Sequence, residues 1–334
     1  MKKFLNKPEQ FVDEMLEGIY QAHPDKLKYV NNDLRCLTTA TGKKGKVGIS
    51  TGGGSGHLPL FLGYVGDGML DGCSVGGVFQ SPSADQMFEV TKAIDQGAGV
   101  LYIYGNYGGD IMNFDMAAEM ADMEDIKVLQ VVAGEDVASS PKGEEHKRRG
   151  VAGIFFVYKI AGAAADKMLS LEEVKRLADK AAANVRTMGV ALTPCIVPEI
   201  GKPTFTIEDG QMEIGMGIHG EPGIDKGPLK TADETAQILV DKIVQDLPYE
   251  KGDEVAVLVN GLGATPKEEL YVIYRKVSEI LKDAGITVFH VFVGEIATSM
   301  EMAGLSVSLL KLDDELKELL SKPADTPFYK QFQL

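Results

Sequence analysis

Hydrophobic and polar positions follow two periodicities along the chain, and each periodicity predicts a different element. Short apolar runs rich in β-branched residues, at 46–50, 99–104 and 127–132, indicate buried parallel strands. The segments between them, 83–96 and 110–123, carry apolar residues at helical spacing. This alternation predicts βαβ units and a largely parallel sheet.

Two longer helices follow in the pattern. The run 151–165 is almost wholly apolar but too short to cross a bilayer, and it contains Lys159, so it predicts a buried helix. Residues 170–188 form an amphipathic pattern. Ser170 and Glu173 have the spacing of a capping box, which places the start of that helix at Ser170.

The pattern changes near residue 188, where alternation around Asp209-Gly210 suggests a hairpin. A helix at 231–247, strands at 254–261 and 286–294, and a helix capped by Thr265 with Pro266 as its first residue complete the series.

We therefore predict an α/β protein of two α/β domains. Residues 1–186 form an N-terminal domain with a Rossmann-like, mostly parallel sheet flanked by helices. Residues 187–334 form a smaller α/β sandwich. The charged run 139–150 between predicted elements is expected to be a solvated loop.

Composition narrows the classes of partner. A net charge of −15 disfavours nucleic acid and anionic membrane surfaces, because both would repel the chain. The three cysteines have no Cys-x-x-Cys spacing, which indicates reduced thiols. The first ten residues contain lysines but no apolar stretch, so they do not read as a signal peptide. We expect a cytoplasmic protein.

A glycine-rich segment follows the first predicted strand, which ends near Ser50. Its sequence, STGGGSGH, lacks the lysine of a P-loop and has His57 where the dinucleotide pattern Gly-x-Gly-x-x-Gly needs its last glycine. Glycines allow backbone N–H groups to approach a ligand closely. The segment therefore indicates a small ligand held by backbone, with an imidazole beside it.

A second glycine-rich segment, YGNYGGD at 104–110, follows the next strand and ends with Asp110. Ligands of open parallel sheets bind beyond the carboxyl ends of the strands, where both segments should lie. One interpretation makes Asp110 a helix N-cap. The other aims its carboxylate into the same crevice as His57.

His57 and His219 differ from the other histidines because each is surrounded by glycine, in GSGHLP and GMGIHGEPG. Turn geometry alone could explain either one. Neither has a His or Cys partner at zinc spacing, so no metal site is predicted. Ser55 lacks the Gly-x-Ser-x-Gly elbow of a serine hydrolase, because His57 stands at the final position.

Taken together, these motifs resemble those of the dihydroxyacetone kinase family, specifically its substrate-binding subunit. The resemblance covers nearly the whole chain. The segments that carry it are STGGGSGH, FQSPSADQM, NYGGDIMNF, RRGVAGIFFVYKIAGAAA, IGMGIHGEPG, VNGLGATPKEELY and EMAGLSVSLLKL.

The resemblance implies the site residues. In the family, the histidine matching His219 binds the ketone covalently as a hemiaminal. His57 and Asp110 match residues that hydrogen-bond the substrate hydroxyls and accept the proton as the terminal oxygen attacks phosphorus. The expected substrate-binding set consists of Gly54, Ser55, Gly56, His57, Ser81, Gly105 and Asp110.

The resemblance also implies the partners. No cofactor is expected on this chain, whereas ADP or ATP with magnesium is expected on a partner nucleotide-binding subunit. The phosphate would come from phosphoenolpyruvate through a phosphocarrier protein, and the usual assembly is a homodimer.

Two positions depart from the family pattern: Leu58 replaces a glutamate and Gly105 replaces a lysine. Loss of the lysine opens space, which favours a larger ketose such as erythrulose. Two alternatives remain. One is a non-catalytic ketone-binding coactivator, and the other is a generic sugar-phosphate or nucleotide-binding protein.

Overall fold

The computed structural model describes residues 2–334, and it confirms the α/β prediction. Two six-stranded sheets are present, each accompanied by helices. Within residues 2–334, no helix has the length and apolar character needed to traverse a bilayer.

The chain divides into two compact units, and neither is continuous in sequence. The first unit consists of 2–133, Phe156–Ala181 and Leu316–Leu334. The second consists of Gly134–Phe155 and Ala182–Glu315. A single division at 186/187 therefore does not describe these units, because residues 134–155, 182–186 and 316–334 lie on the other side from the one predicted.

The first unit contains a mostly parallel sheet. Its strands are β1 (Leu27–Val30), β2 (Asp33–Thr39), β3 (Gly48–Ser55), β4 (Gly72–Val78), β5 (Val100–Gly105) and β6 (Val128–Ala133). Their order is β1-β2-β4-β3-β5-β6. The neighbours from β4 to β6 are parallel, whereas β1 and β2 add an antiparallel edge. A hairpin of β13 (Ala324–Asp325) and β14 (Lys330–Gln331) also belongs to this unit.

The first unit also contains helices. They are α1 (Phe11–Ala22), α2 (Ala84–Ile94), α3 (Gly108–Asp122), α4 (Ile154–Asp166), α5 (Leu171–Asn184) and α8 (Asp314–Leu320), of which α4, α5 and α8 extend past the unit's boundary by a few residues. Ser83 caps α2 in a full capping box with Gln86. The apolar run around α4 is buried, as its pattern predicts.

The sheet of the second unit is mainly antiparallel. Its strands are β7 (Val185–Ala191), β8 (Gln211–Ile214), β9 (Asp225–Pro228), β10 (Glu254–Gly261), β11 (Thr287–Gly294) and β12 (Gly304–Leu312). The order is β11-β10-β12-β7-β8-β9, in which β10 and β11 are parallel and the other neighbours antiparallel. Helices α6 (Ala232–Asp246) and α7 (Lys267–Asp283) bury their apolar faces with this sheet.

Three local predictions were wrong. The helix predicted over 170–188 ends at Asn184, because β7 begins at Val185 and pairs with β12. No hairpin pairs across Asp209-Gly210 among the described strands; β8 pairs instead with β7 and β9. Pro266, not Thr265, occupies the N-cap of α7, since the Thr265 hydroxyl bonds to Gly304.

Candidate functional site

The first three glycines of the first motif, Gly52, Gly53 and Gly54, lie inside β3, which continues to Ser55, and not in a loop after Ser50 as predicted. A Cβ at Gly52 would lie 2.5 Å from the Ser74 hydroxyl. One at Gly53 would lie 2.4 Å from the Phe61 ring, and one at Gly54 would lie 2.7 Å from the Gln80 nitrogen. Packing within the protein is thus sufficient to require glycine at all of these positions.

His57 follows the end of β3 and is almost fully buried, at 1% exposure. Gly56 precedes it with φ +104°, a conformation that glycine adopts without strain. The imidazole stacks on Phe79, with ring centroids 4.9 Å apart, and meets the edge of Phe61 at 6.0 Å. Two aromatic rings therefore fix the plane of the imidazole.

The two predicted serines take different positions. The Ser55 hydroxyl donates to the Gly76 carbonyl at 2.8 Å, which ties β3 to the neighbouring strand β4. Ser81 is half-buried, and its hydroxyl would lie 2.7 Å from a Cβ at Gly109. Ser81 is therefore packed directly against the first turn of α3.

Asp110 lies in that same first turn and is buried, at 6% exposure. The N-cap of α3 is Tyr107, so the interpretation of Asp110 as an N-cap was wrong. A carboxylate in a first helical turn is favoured by the positive end of the helix dipole. Gly105, the last residue of β5, leads into this turn and is buried.

The sheet brings these residues to one edge. Strands β3 and β5 are parallel neighbours, so their carboxyl ends lie side by side. His57 follows the first strand, and Asp110 and Gly105 come at the end of the second. The first unit thus places a buried imidazole and a buried carboxylate at the strand ends where small ligands bind in such sheets.

His219 lies in the second unit, in the loop between β8 and β9. Its Nδ1 is 3.0 Å from Glu221 Oε1, and its backbone N–H donates to Glu221 Oε2 at 2.9 Å. The side chain is 24% exposed. The Ile218 carbonyl accepts a hydrogen bond from the Ser299 hydroxyl, which anchors the loop just before the histidine.

The surroundings of Glu221 favour its ionised form over its protonated form. Burial raises the pKa of this carboxyl, but the hydrogen bond and charge of His219, together with Arg149, outweigh burial and lower the pKa to about 2. An ionised Glu221 accepts a hydrogen bond from Nδ1–H of the imidazole, which places the ring's lone pair on Nε2. This tautomer suits an imidazole that attacks a carbonyl through Nε2.

Arg149 and Asp136 belong to the surroundings of Glu221 but were not predicted from the sequence. Arg149 lies in the charged run 139–150, and the prediction that this run is solvated was wrong for its last residues. Arg148 is 1% exposed and the Arg149 side chain 13% exposed. One signal was available: the two arginines directly precede the most apolar segment of the chain.

These features define a class: an α/β protein with a candidate small-molecule site at its parallel strand ends and a carboxylate-paired histidine in a glycine loop. The sequence model described as the Dak1 domain matches residues 17–328. The chain belongs to this family.

Relatives named as kinases match almost the whole chain. A dihydroxyacetone-binding subunit of a PTS-dependent dihydroxyacetone kinase from Listeria innocua is 49% identical, over 98% of this chain and 99% of its own length. The corresponding subunit of the PEP-dependent enzyme of Escherichia coli is 39% identical over 98% of each chain. A D-erythrulose kinase from Mycolicibacterium smegmatis is 44% identical, over 99% of this chain but 57% of its own length.

Solved structures show the same likeness. The dihydroxyacetone kinase from C. freundii, in complex with AMP-PNP and Mg²⁺, gives a TM-score of 0.90 at 30% identity, over 99% of this chain and 61% of that one. A dihydroxyacetone kinase operon co-activator gives 0.90 at 31% identity, over 98% of this chain and 99% of its own.

Proposed function

We propose that this chain is the ketose-binding subunit of a dihydroxyacetone kinase, a phosphotransferase. The observation that carries the proposal is its full-length likeness to dihydroxyacetone-binding subunits. His219 binds the ketone covalently as a hemiaminal. His57 and Asp110 hold its hydroxyls, and they accept the proton of the terminal hydroxyl as that oxygen attacks phosphorus.

Nucleophilic addition accounts for the selectivity of such a site. The Nε2 lone pair of His219 forms a bond to the carbonyl carbon, and the displaced π electrons become an alkoxide that takes a proton from solvent. A polyol without a carbonyl cannot form this bond. The ionised Glu221 compensates the positive charge that the ring acquires.

We propose that a different subunit binds the nucleotide. The chain has no P-loop, and it spans about three-fifths of the C. freundii kinase. A separate nucleotide-binding subunit carries ADP or ATP with magnesium. The phosphate comes from phosphoenolpyruvate and reaches that subunit through a phosphocarrier protein. This chain acts as a cytoplasmic homodimer.

Reconstitution tests the proposal. With its cognate nucleotide-binding subunit, the chain should phosphorylate dihydroxyacetone or erythrulose; alone with ATP and magnesium, it should form no product. Intact-protein mass spectrometry under non-denaturing conditions should find the ketone on the parent but not on His219→Ala. Turnover by the chain alone would refute the dependence on a partner.

A coactivator is the second candidate, because the match with the operon co-activator structure covers almost the whole length of this chain and of the co-activator. Both candidates allow covalent capture at His219, so phosphoryl transfer separates them. Adduct formation without transfer, with every cognate nucleotide subunit supplied, would favour the coactivator.

Gly105 is proposed to set the ketose preference. A lysine there would occupy space at the end of β5 and bond one hydroxyl of the ketose. Gly105→Lys should raise kcat/KM for dihydroxyacetone relative to erythrulose by roughly one to two decades, the size expected for a bond to a charged donor. Measuring both ketoses in parent and variant tests this. An unchanged ratio would remove Gly105 from the substrate site.

A further inference from the structure

The Arg149 guanidinium joins two carboxylates of the second unit. Its Nε donates to Asp136 Oδ2 at 3.0 Å, and its Nη2 lies 2.8 Å from the same oxygen. Nη2 also donates to the Gly215 carbonyl at 3.0 Å. The remaining nitrogen, Nη1, lies 3.9 Å from Glu221 Oε2. Arg149 therefore contacts the start of the histidine loop and the carboxylate that holds His219.

We propose that Arg149 and Asp136 are positioning residues that keep Glu221 ionised and aimed at His219, and so fix the imidazole proton on Nδ1. The reactive Nε2 is then presented with its lone pair. The consequence for ketone capture rests on the proposed function, whereas the effect on the tautomer does not.

The backbone holds the pair in place from both ends. Arg149 N–H donates to the Ser139 hydroxyl at 3.0 Å, and its carbonyl accepts from Asp136 N–H at 3.1 Å. Asp136 Oδ1 accepts from Ala138 N–H at 3.0 Å. The side chains are 13% and 5% exposed. A guanidinium fixed in this way approaches Glu221 without a further loss of side-chain entropy.

Gly217 makes the approach possible. A Cβ at this position would lie 2.1 Å from Glu221 Oε2 and 2.5 Å from Arg149 Nη1. Any side chain would thus enter the space where the carboxylate and the guanidinium meet. The ionic contact between Glu221 and Arg149 therefore requires glycine at position 217.

The two neighbours of Glu221 have different roles: Arg149 supplies the favourable charge, and Asp136 holds Arg149 in place. Asp136 is buried, which raises its pKa to about 6 against the opposing effect of Arg149, so it remains ionised at neutral pH. It neutralises part of the guanidinium charge and orients it. Arg149 in turn lowers the proton affinity of Glu221, so the shared proton stays on the imidazole.

The first experiment reads the tautomer without any ketone. In protein labelled with ¹⁵N-histidine, the His219 signals are assigned by their loss in His219→Gln. At pH 7.5 the parent should show a protonated Nδ1 and an unprotonated Nε2. Asp136→Asn/Arg149→Met removes both charges, so no unpaired ion is left buried, and should give averaged signals of mixed tautomers.

The second experiment measures the consequence. The double variant should bind dihydroxyacetone covalently roughly tenfold more weakly than the parent, the size expected when an outer partner of a functional histidine is lost. The single variant Arg149→Lys keeps Asp136 and a positive charge, so it should lose less affinity for dihydroxyacetone than the double variant. The control Arg275→Met removes an exposed guanidinium of the same unit and should change neither readout.

The outcomes are separable. Unchanged tautomer signals and adduct affinity within twofold of the parent would overturn the inference. If the parent itself forms no adduct, the hemiaminal proposal fails, and the tautomer measurement alone decides the role of Arg149 and Asp136.

Discussion

Lys159 is a charged residue in a fully apolar place. It lies in the middle of α4 with no exposed surface, and its Nζ donates to the Leu319 carbonyl in α8 at 3.2 Å. Burial lowers the pKa of Lys159 from 10.5 to about 8, although Asp166 opposes the shift. The folded state therefore holds the Lys159 proton less tightly than the unfolded state does.

Lys159 makes the stability of the fold depend on pH. Between pH 8 and 10.5 the unfolded state binds more protons, so deprotonation of Lys159 makes the fold more stable as pH rises. Lys159→Met should abolish this gain. From pH 7 to 9.5 the parent should gain about 2 kcal/mol in free energy of unfolding relative to the variant, as measured by urea denaturation. Parallel curves for the two proteins would contradict the lowered pKa.

Asp110 allows a test of proton acceptance that leaves the shape of the site intact. Asp110→Asn is nearly isosteric but cannot act as a base, so turnover of the reconstituted kinase should fall by roughly 10² to 10⁴. Covalent capture of the ketone should continue, because we propose that His219 performs that step. Steady-state kinetics with adduct mass spectrometry measures both. Normal turnover would take Asp110 out of the catalytic step.

At the scale of elements, a buried ion pair ties residues 139–150 to the end of α6. Arg148 Nη1 donates to Asp246 Oδ1 at 2.9 Å, and Arg186 contacts the same carboxylate. Burial raises the pKa of Asp246, but the two arginines outweigh burial and lower it. This contribution is present above the carboxyl's ordinary pKa and is lost as pH falls through the lowered one.

Removing the carboxylate charge takes away the ion pair of the buried Arg148 with Asp246. Asp246→Asn should lower the free energy of unfolding by about 3 kcal/mol at pH 7, and the difference should shrink on acidification. Asp233→Asn is the control, because it breaks an exposed pair on the same helix and should cost less than about 1 kcal/mol. Equal losses in the two variants would show that the buried pair has no special weight.

The elements that could be predicted from the sequence are those whose pattern matches their burial. Strand β10 (Glu254–Gly261) was predicted with its observed bounds, and α6 and α2 with nearly theirs. Capping boxes at Thr231 and Ser83 mark the starts of these two helices. In such segments the capping hydrogen bonds and the hydrophobic periodicity indicate the same element. The residues of the segment itself are therefore sufficient to predict it.

Strands β4 and β12 were not predicted, because their burial depends on distant partners. In β12, Ser306 and Ser308 are buried, and the Ser308 hydroxyl shares a 2.7 Å hydrogen bond with Thr187 of β7. In β4, a Cβ at Gly72 would lie 2.5 Å from Val90 of α2. Serine and glycine weaken a strand pattern unless the neighbouring element is known.

The candidate functional residues show the same limit. His57, His219 and Asp110 could be singled out from the sequence, because each is a chemically reactive residue type next to glycine. Arg149 and Asp136 could not, because neither stands beside His219 in the chain. Their part in the loop depends on a fold that brings residues 136 and 149 to 215–221.

At the scale of the whole molecule, the cysteines report on both units. Cys36 and Cys73 lie in the first unit and Cys195 in the second; all are free thiols at 1% exposure or less. Burial raises the pKa of both Cys36 and Cys73, which further suppresses the reactive thiolate.

Each thiol should therefore react only when its own unit opens. A thiol reagent should label the folded protein at least about 100-fold more slowly than the protein in urea. Timed labelling with peptide mass spectrometry gives the rate for each cysteine. Fast labelling of Cys195 alone would mean that the second unit opens independently, and fast labelling of all of them would contradict the prediction.

The discontinuity of the units has a consequence for synthesis on the ribosome. Every residue of the second unit has been translated once Glu315 is reached, whereas the first unit still lacks Leu316–Leu334. Among the missing residues are buried Leu316, Leu319 and Leu320 of α8. At ordinary elongation rates, the roughly 200 residues after Ala133 take about 10–40 s to translate. The strands of the amino-terminal sheet are therefore translated first, but their unit is the last to be completed. During that interval the apolar surface of the first unit depends on the nascent chain, or on a chaperone, for protection from water.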